Sequence, residues 1–195
     1  VKGPADHRPA VFIIDKKLTS AFIERIKTAI DDLKVGDPME EDTDVGPLSS
    51  EGQAKEVEEQ VNRSVGQGAK VLRGGKRNAC FYSPTLLTHV TPEMPVFKEE
   101  VFGPVLSVIE ARDDKDALHL ANSTQFGLGA SVITRDKDRA GIFIRGLKDG
   151  AVFINALVKS DPRLPFGGTG KSGYGRELSR HGILEFVNCK TIYFK

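Results

Sequence analysis

Tryptophan is absent from this 195-residue chain, and cysteine and methionine occur only twice each. The two cysteines, Cys80 and Cys189, lie far apart, and neither has a histidine or second cysteine at ligand spacing. That scarcity excludes a disulfide framework, argues against zinc or any other metal, and fits a reducing, cytoplasmic setting. Charge of one sign is missing too, since 28 Lys+Arg against 27 Asp+Glu leave a net charge of +1. Such a balance gives no electrostatic footprint for nucleic acid or an acidic membrane surface. No apolar run reaches the length of a membrane span, the first residues lack a signal-peptide core, and no internal repeat occurs. What remains is ordinary globular composition, 39% apolar and 28% charged. The length suits one substantial core or one large domain of a bigger enzyme.

Glycine, by contrast, is plentiful and concentrated. Leu164 to Glu177 reads LPFGGTGKSGYGRE and holds five glycines. Glycine that dense marks backbone at positive φ or in close approach to something else. Gly170-Lys171-Ser172 ends like a phosphate-binding loop, but Pro165 stands where that pattern begins with glycine. About ten residues also separate Pro165 from the preceding strand, whereas such a loop joins strand directly to helix. A nucleotide-triphosphate site is therefore rejected. A plain surface turn is the alternative, and Leu164-Pro165-Phe166 before the glycines and Arg176-Glu177 after them argue against it.

A second unusual stretch is Phe97–Pro104, FKEEVFGP, in which two glutamates stand among apolar residues ahead of a buried strand at Val105–Ile109. A charged residue at the mouth of a parallel sheet is where open α/β folds gather ligands. An exposed loop explains the spacing equally well. Asp37–Leu48 carries five carboxylates without the glycine and terminal glutamate of a calcium loop, and reads as solvated. Cys80 precedes a strand bearing His89, with no helix N-terminus, cation or third orienting group, so a packed structural cysteine is expected rather than a nucleophile.

Around these stretches the pattern alternates. Val11–Ile14 reads as a buried strand, and Leu18, Phe22, Ile26, Ile30 and Leu33 as one helix face closed by Gly36 as a left-handed cap and Pro38. Ser50 caps a second helix with Ala54, Val57, Val61 and Val65 on one face. Strands are expected at 69–72, 84–90, 105–109, 129–134 and 151–154, and helices capped by Asp114 and Asp136 and again at 178–186. Repeated β–α–β of this kind implies an α/β fold, a mainly parallel open sheet flanked by helices. Thr191–Phe194 closes the chain as a strand suited to pairing with another chain.

Taken together, several motifs resemble the C-terminal catalytic half of the aldehyde dehydrogenase superfamily. They are Gly36-Asp37-Pro38 with Thr43-Asp44-Val45-Gly46-Pro47, Lys98 to Pro104, Ala121-Asn122-Ser123-Thr124 with Phe126-Gly127-Leu128, and Pro165 to Gly168 through Lys171 to Glu177. Ser160–Gly168 and the ending GYGRELSRHGILEFVN resemble the bacterial succinate-semialdehyde dehydrogenase branch. The resemblance implies an oxidoreductase in which a cysteine thiolate attacks an aldehyde, hydride passes to NAD or NADP, and a glutamate activates water for hydrolysis. It implies that Glu100 holds the nicotinamide ribose hydroxyls and that Phe102 packs beside the ring. It also implies that Phe166 lines the substrate mouth, with Asn155 at the end of the strand leading there. A carboxylate accepts two hydroxyls in strong charge-assisted bonds, and an aromatic face restrains a flat ring for hydride transfer. Arg163 is a candidate for the distal carboxylate of a semialdehyde, since a guanidinium binds carboxylates bidentately; a surface loop arginine is the equal alternative.

The resemblance places the catalytic cysteine near Asp6, within Gly3–His7, where there is none. The general-base glutamate and the cofactor domain are expected upstream of Val1. Residues 1–187 are accordingly expected to be a catalytic-domain portion with no catalytic residue of its own, binding cofactor weakly, and residues 188–195 an oligomerisation strand. The implied partners are a small aldehyde and further copies of the chain. A non-catalytic binding or oligomerisation module on the same fold is the alternative.

Overall fold

The computed structural model describes residues 10–195; the Gly3–His7 segment, where the nucleophile was expected, lies outside them. Two compact units divide the chain after Leu120.

The first unit is built on a four-stranded sheet ordered β1-β6-β5-β2, from Ala10–Asp15, Val105–Ala111, Thr85–Thr88 and Lys70–Arg73. β1 and β5 both pair parallel to β6, in registers Phe12↔Val108 and Leu86↔Leu106, while β2 runs antiparallel on β5. All four residues of β5 are buried, which is why TLLT reads as continuous rather than alternating. Val11–Ile14, expected to be buried, is only half-buried because β1 is an edge strand.

Between the strands lie α1 (Thr19–Asp31) and α2 (Glu51–Gly66). Phe22 of α1 meets Phe12 of β1 with ring centroids 5.4 Å apart. α1 stops at Asp31, short of Gly36, and Gly36 has no positive φ. It donates instead to Val45 O at 3.1 Å, beside a bridge between Val35 and Val45, so the acidic loop closes on itself rather than capping the helix. The Ser50 cap forms as expected, with Gln53 N donating to Ser50 Oγ at 3.1 Å. Val57 and Val61 of α2 pack into a core shared with Tyr82, Leu87, Val96 and Val101.

Three short elements complete the first unit. A hairpin of β3 (Arg77–Asn78) and β4 (Phe81–Tyr82) turns through Ala79 and Cys80, and α3 (Pro95–Lys98) has proline at its first position. α4 (Asp114–Ala121) is capped by Asp113, not Asp114: Asp116 N donates to Asp113 Oδ1 at 2.8 Å.

In the second unit β7 (Ala130–Val132) pairs parallel with β8 (Val152–Ile154), joined through α5 (Lys137–Gly146). Asp136 caps α5, accepting from Asp138 N and Arg139 N. A single 3-10 turn occupies Gly170–Ser172, and α6 covers Ser179–Leu184. Thr191–Phe194 forms no strand within the chain. A strand exists only by pairing, and no described segment pairs with it.

Candidate functional site

Phe97–Pro104 departs from the expected position. It feeds β6 at the end where Thr85 pairs with Val105, the amino edge of these parallel strands, rather than the carboxyl-edge crevice typical of open α/β folds. Its residues are displayed by alternation. Val101 is 1% exposed and Gly103 is buried, while Glu100 is exposed and Phe102 is 49% exposed. Ahead of β6 the chain turns tightly, with Gly103 N donating to Val101 O at 3.1 Å, and burial of Val101 leaves Glu100 and Phe102 on either side of it exposed.

The two adjacent glutamates differ in use. Glu99 accepts from Gln60 Nε2 at 3.2 Å and pairs with Arg63. The Glu100 carboxylate has no partner among the described residues, and only its main-chain carbonyl is engaged, by Gln60 Nε2 at 3.1 Å.

The other predicted residues stand in the second unit. Phe166 is half-buried, and its amide and carbonyl bridge those of Glu177 at 2.9 and 2.8 Å, closing the glycine stretch into a loop. Inside it Arg176 Nη1 donates to Gly168 O at 3.0 Å. Lys171 N donates to Gln125 O at 2.9 Å, so this amide is not free to cradle a phosphate. Gly170 has φ of 59° and lies so near Gln125 that a Cβ would come within 2.5 Å of its carbonyl.

Asn155 is exposed at φ 54°, and its amide pairs with both main-chain groups of Thr134, accepting from N and donating to O at 2.9 Å. Its side chain thus adds a rung beyond β7 and β8. Arg163 is exposed and already clamped: Nε and Nη2 donate to Asp161 Oδ1 and Oδ2 at 2.9 and 2.7 Å. The guanidinium and the Arg163 amide hold the Asp161 carboxyl well below the usual carboxylate range.

Cys80 lies in the hairpin turn, its carbonyl accepting from Leu48 N at 2.8 Å, and Cys189 is exposed. Neither begins a helix. No group of three or more metal-ligating side chains occurs among the described residues. Two further groups had no motif to flag them. Gln60 is buried beneath the glutamates, and Asp149 edges a cavity of about 270 Å³ with its carboxyl pushed up by burial.

The chain is thus an α/β domain with mainly parallel strands, an exposed glutamate and phenylalanine ahead of β6, and a glycine-rich loop closed by Phe166 and Glu177. The aldehyde dehydrogenase family pattern matches residues 8–192, and the chain belongs to that family. It is 45% identical over 185 residues to the succinate-semialdehyde dehydrogenase [NADP(+)] of Mycobacterium leprae, covering 93% of this chain and 40% of that protein. Identity to the Escherichia coli succinate semialdehyde dehydrogenase [NAD(P)+] is 44%, with the same coverage. Among solved structures, a succinate-semialdehyde dehydrogenase from Burkholderia pseudomallei superposes with TM-score 0.86 at 37% identity, covering 90% of this chain and 37% of that one. Aldehyde dehydrogenase 21 from Physcomitrella patens, in complex with the reaction product succinate, gives the same score at 33% identity and the same coverage. The chain thus spans about 40% of the length of the curated relatives it matches.

Proposed function

We propose that this chain is the catalytic-domain portion of an NAD(P)-dependent aldehyde dehydrogenase that oxidises succinate semialdehyde to the acid. The observation that carries the proposal is the unpartnered Glu100 carboxylate and the exposed Phe102 ring on either side of buried Val101. Glu100 accepts the nicotinamide ribose hydroxyls, and Phe102 packs beside the ring; the bound cofactor supplies the hydride acceptor. Phe166 lines the substrate mouth, with Asn155 at the end of β8. Arg163 takes the distal carboxylate of the semialdehyde in competition with Asp161, which occupies two of its donors.

The chemistry of the sulfur nucleophile is not among these roles. Among the described residues neither Cys80, in the β3–β4 turn, nor Cys189, outside any helix, stands at the helix N-terminus that activates a thiol. Saturation-transfer NMR on the purified chain with NADP+ and with NAD+ tests the proposal. Signal on the ribose protons is expected for the wild type and is expected to vanish in Glu100→Ala, while the same samples given succinate semialdehyde show no cofactor reduction. Equal ribose signal from the variant would reject the role of Glu100, and cofactor reduction by the chain would reject the absence of a nucleophile.

A second reading, an oligomerisation module on the same fold, is favoured by one observation. Phe186, Ile192, Tyr193 and Phe194 near the end of the chain are all more than two-thirds exposed, Ile192 least at 69%.

A further inference from the structure

The segment carrying Glu100 and Phe102 lies on one face of α2. Val57, Gln60, Val61 and Ser64 recur at helical spacing and are all buried, and two of the four are polar. Ser64 Oγ donates to Gln60 O at 2.8 Å and accepts from Val96 N at 3.1 Å, tying the first turn of α3 to the helix. Gln60 Nε2 donates both to Glu99 Oε2 and to the Glu100 carbonyl, and Arg63 pairs with the other oxygen of Glu99. One turn earlier, Val57 lies under Gly103 so closely that a Cβ there would stand 2.9 Å from its Cγ2. α2 therefore holds the segment at both ends, with Gln60 between them.

The orientation of the Gln60 amide is fixed, because both groups it faces are acceptors and only the NH2 end can meet them. Its Oε1 is buried with no partner among the described residues. A residue needed only to fill this space would be apolar and would avoid that cost, so what the position supplies is the pair of donors. We propose that Gln60 is a positioning residue, whose amide fixes the main chain at Glu100 so that the Glu100 carboxylate and the Phe102 ring stay outward while Val101 stays in the core. Its link to cofactor binding rests on the ribose role proposed above for Glu100.

Hydrogen exchange on the 195-residue chain tests this at two reporting amides. Glu99 N donates to Pro95 O at 2.9 Å and Gly103 N to Val101 O at 3.1 Å. Gln60→Met keeps the volume and removes both donors; protection at these two amides is expected to fall roughly tenfold while β6 amides hold theirs. Gln60→Glu adds a readout that mere filling would not move. Ionised, it turns acceptors and negative charge toward Glu99 and the Glu100 carbonyl; protonated, it donates one bond. Its protection at Glu99 and Gly103 is expected to recover toward wild type as the pH falls. Unchanged protection in Gln60→Met, or Gln60→Glu tracking wild type at every pH, would overturn the proposal. If protection falls as expected while Glu100→Ala leaves the ribose signal intact, the anchoring stands and the ribose role alone fails.

Discussion

At the scale of single residues, neighbours of identical type have been given different work. Glu99 is bound by Gln60 and Arg63, whereas Glu100 beside it is free; the family resemblance singled out Glu100, but no local pattern in KEEVFGP does. The burial of Val101 and the bonds from Gln60 and Arg63 go with Glu99 being held and Glu100 facing out. Arg163 shows the same dependence on context. Its pairing with Asp161 favours the ionised carboxylate, so the clamp is fully present above the usual aspartate range and is lost as pH falls through the lowered folded value. Asp161→Asn is expected to free the guanidinium and to tighten succinate binding at Arg163, by up to roughly fivefold for so exposed a pair. An NMR titration following the Arg163 guanidinium resonances reads this directly, and identical titrations for the two proteins would remove Arg163 from the substrate site.

At the scale of elements, caps and long apolar runs were legible, and short elements were not. Ser50 and Asp136 announced their helices because a side-chain oxygen at that position has a definite use, the unpaired amides of the first turn. Asp113 and Asp114 offer the same chemistry in succession, and the cap expected at Asp114 falls one residue earlier. The β3–β4 hairpin escaped notice because two-residue strands carry no period, and its turn places Ala79, not glycine, at φ 50°. The glycine stretch was recognised as close-packed, but its contacts were not. A Cβ on Gly150 would lie 1.8 Å from the Gly167 carbonyl, bringing the turn before β8 directly against the loop. Gly150→Ala is therefore expected to destabilise the second unit by roughly 2–3 kcal/mol. Denaturant unfolding followed through amides of β7 and β8 checks it, and a loss below the error of the measurement would mean the backbone yields there.

For the whole molecule, the two units differ in how they are held. The first has a continuous core with Val57, Tyr82 and Leu87 all at most 1% exposed. Among the described residues after Leu120, Ala140 is the one apolar side chain that is fully buried. Ile133, Leu157, Phe186 and Tyr193 are instead all at least 73% exposed. The oligomerisation reading draws on these exposed apolar side chains. The chain is expected to self-associate, so that light scattering gives a mass above 21.3 kDa that rises with concentration and falls when Tyr193 and Phe194 are both changed to Asp. A clean monomer at every concentration would count against the oligomerisation role of residues 188–195.

The sequence by itself determined the family, the alternation of strands and helices, and the two unusual stretches ahead of β6 and at Leu164–Glu177, because motif order and hydrophobic period are properties of the chain alone. Tertiary structure decided which carboxylate is free, which donors Arg163 has left, and that a glutamine on α2 holds the segment bearing Glu100. Those outcomes depend on what the core buries and on partners tens of residues away, such as Gln60 and Glu100, and no local pattern records either.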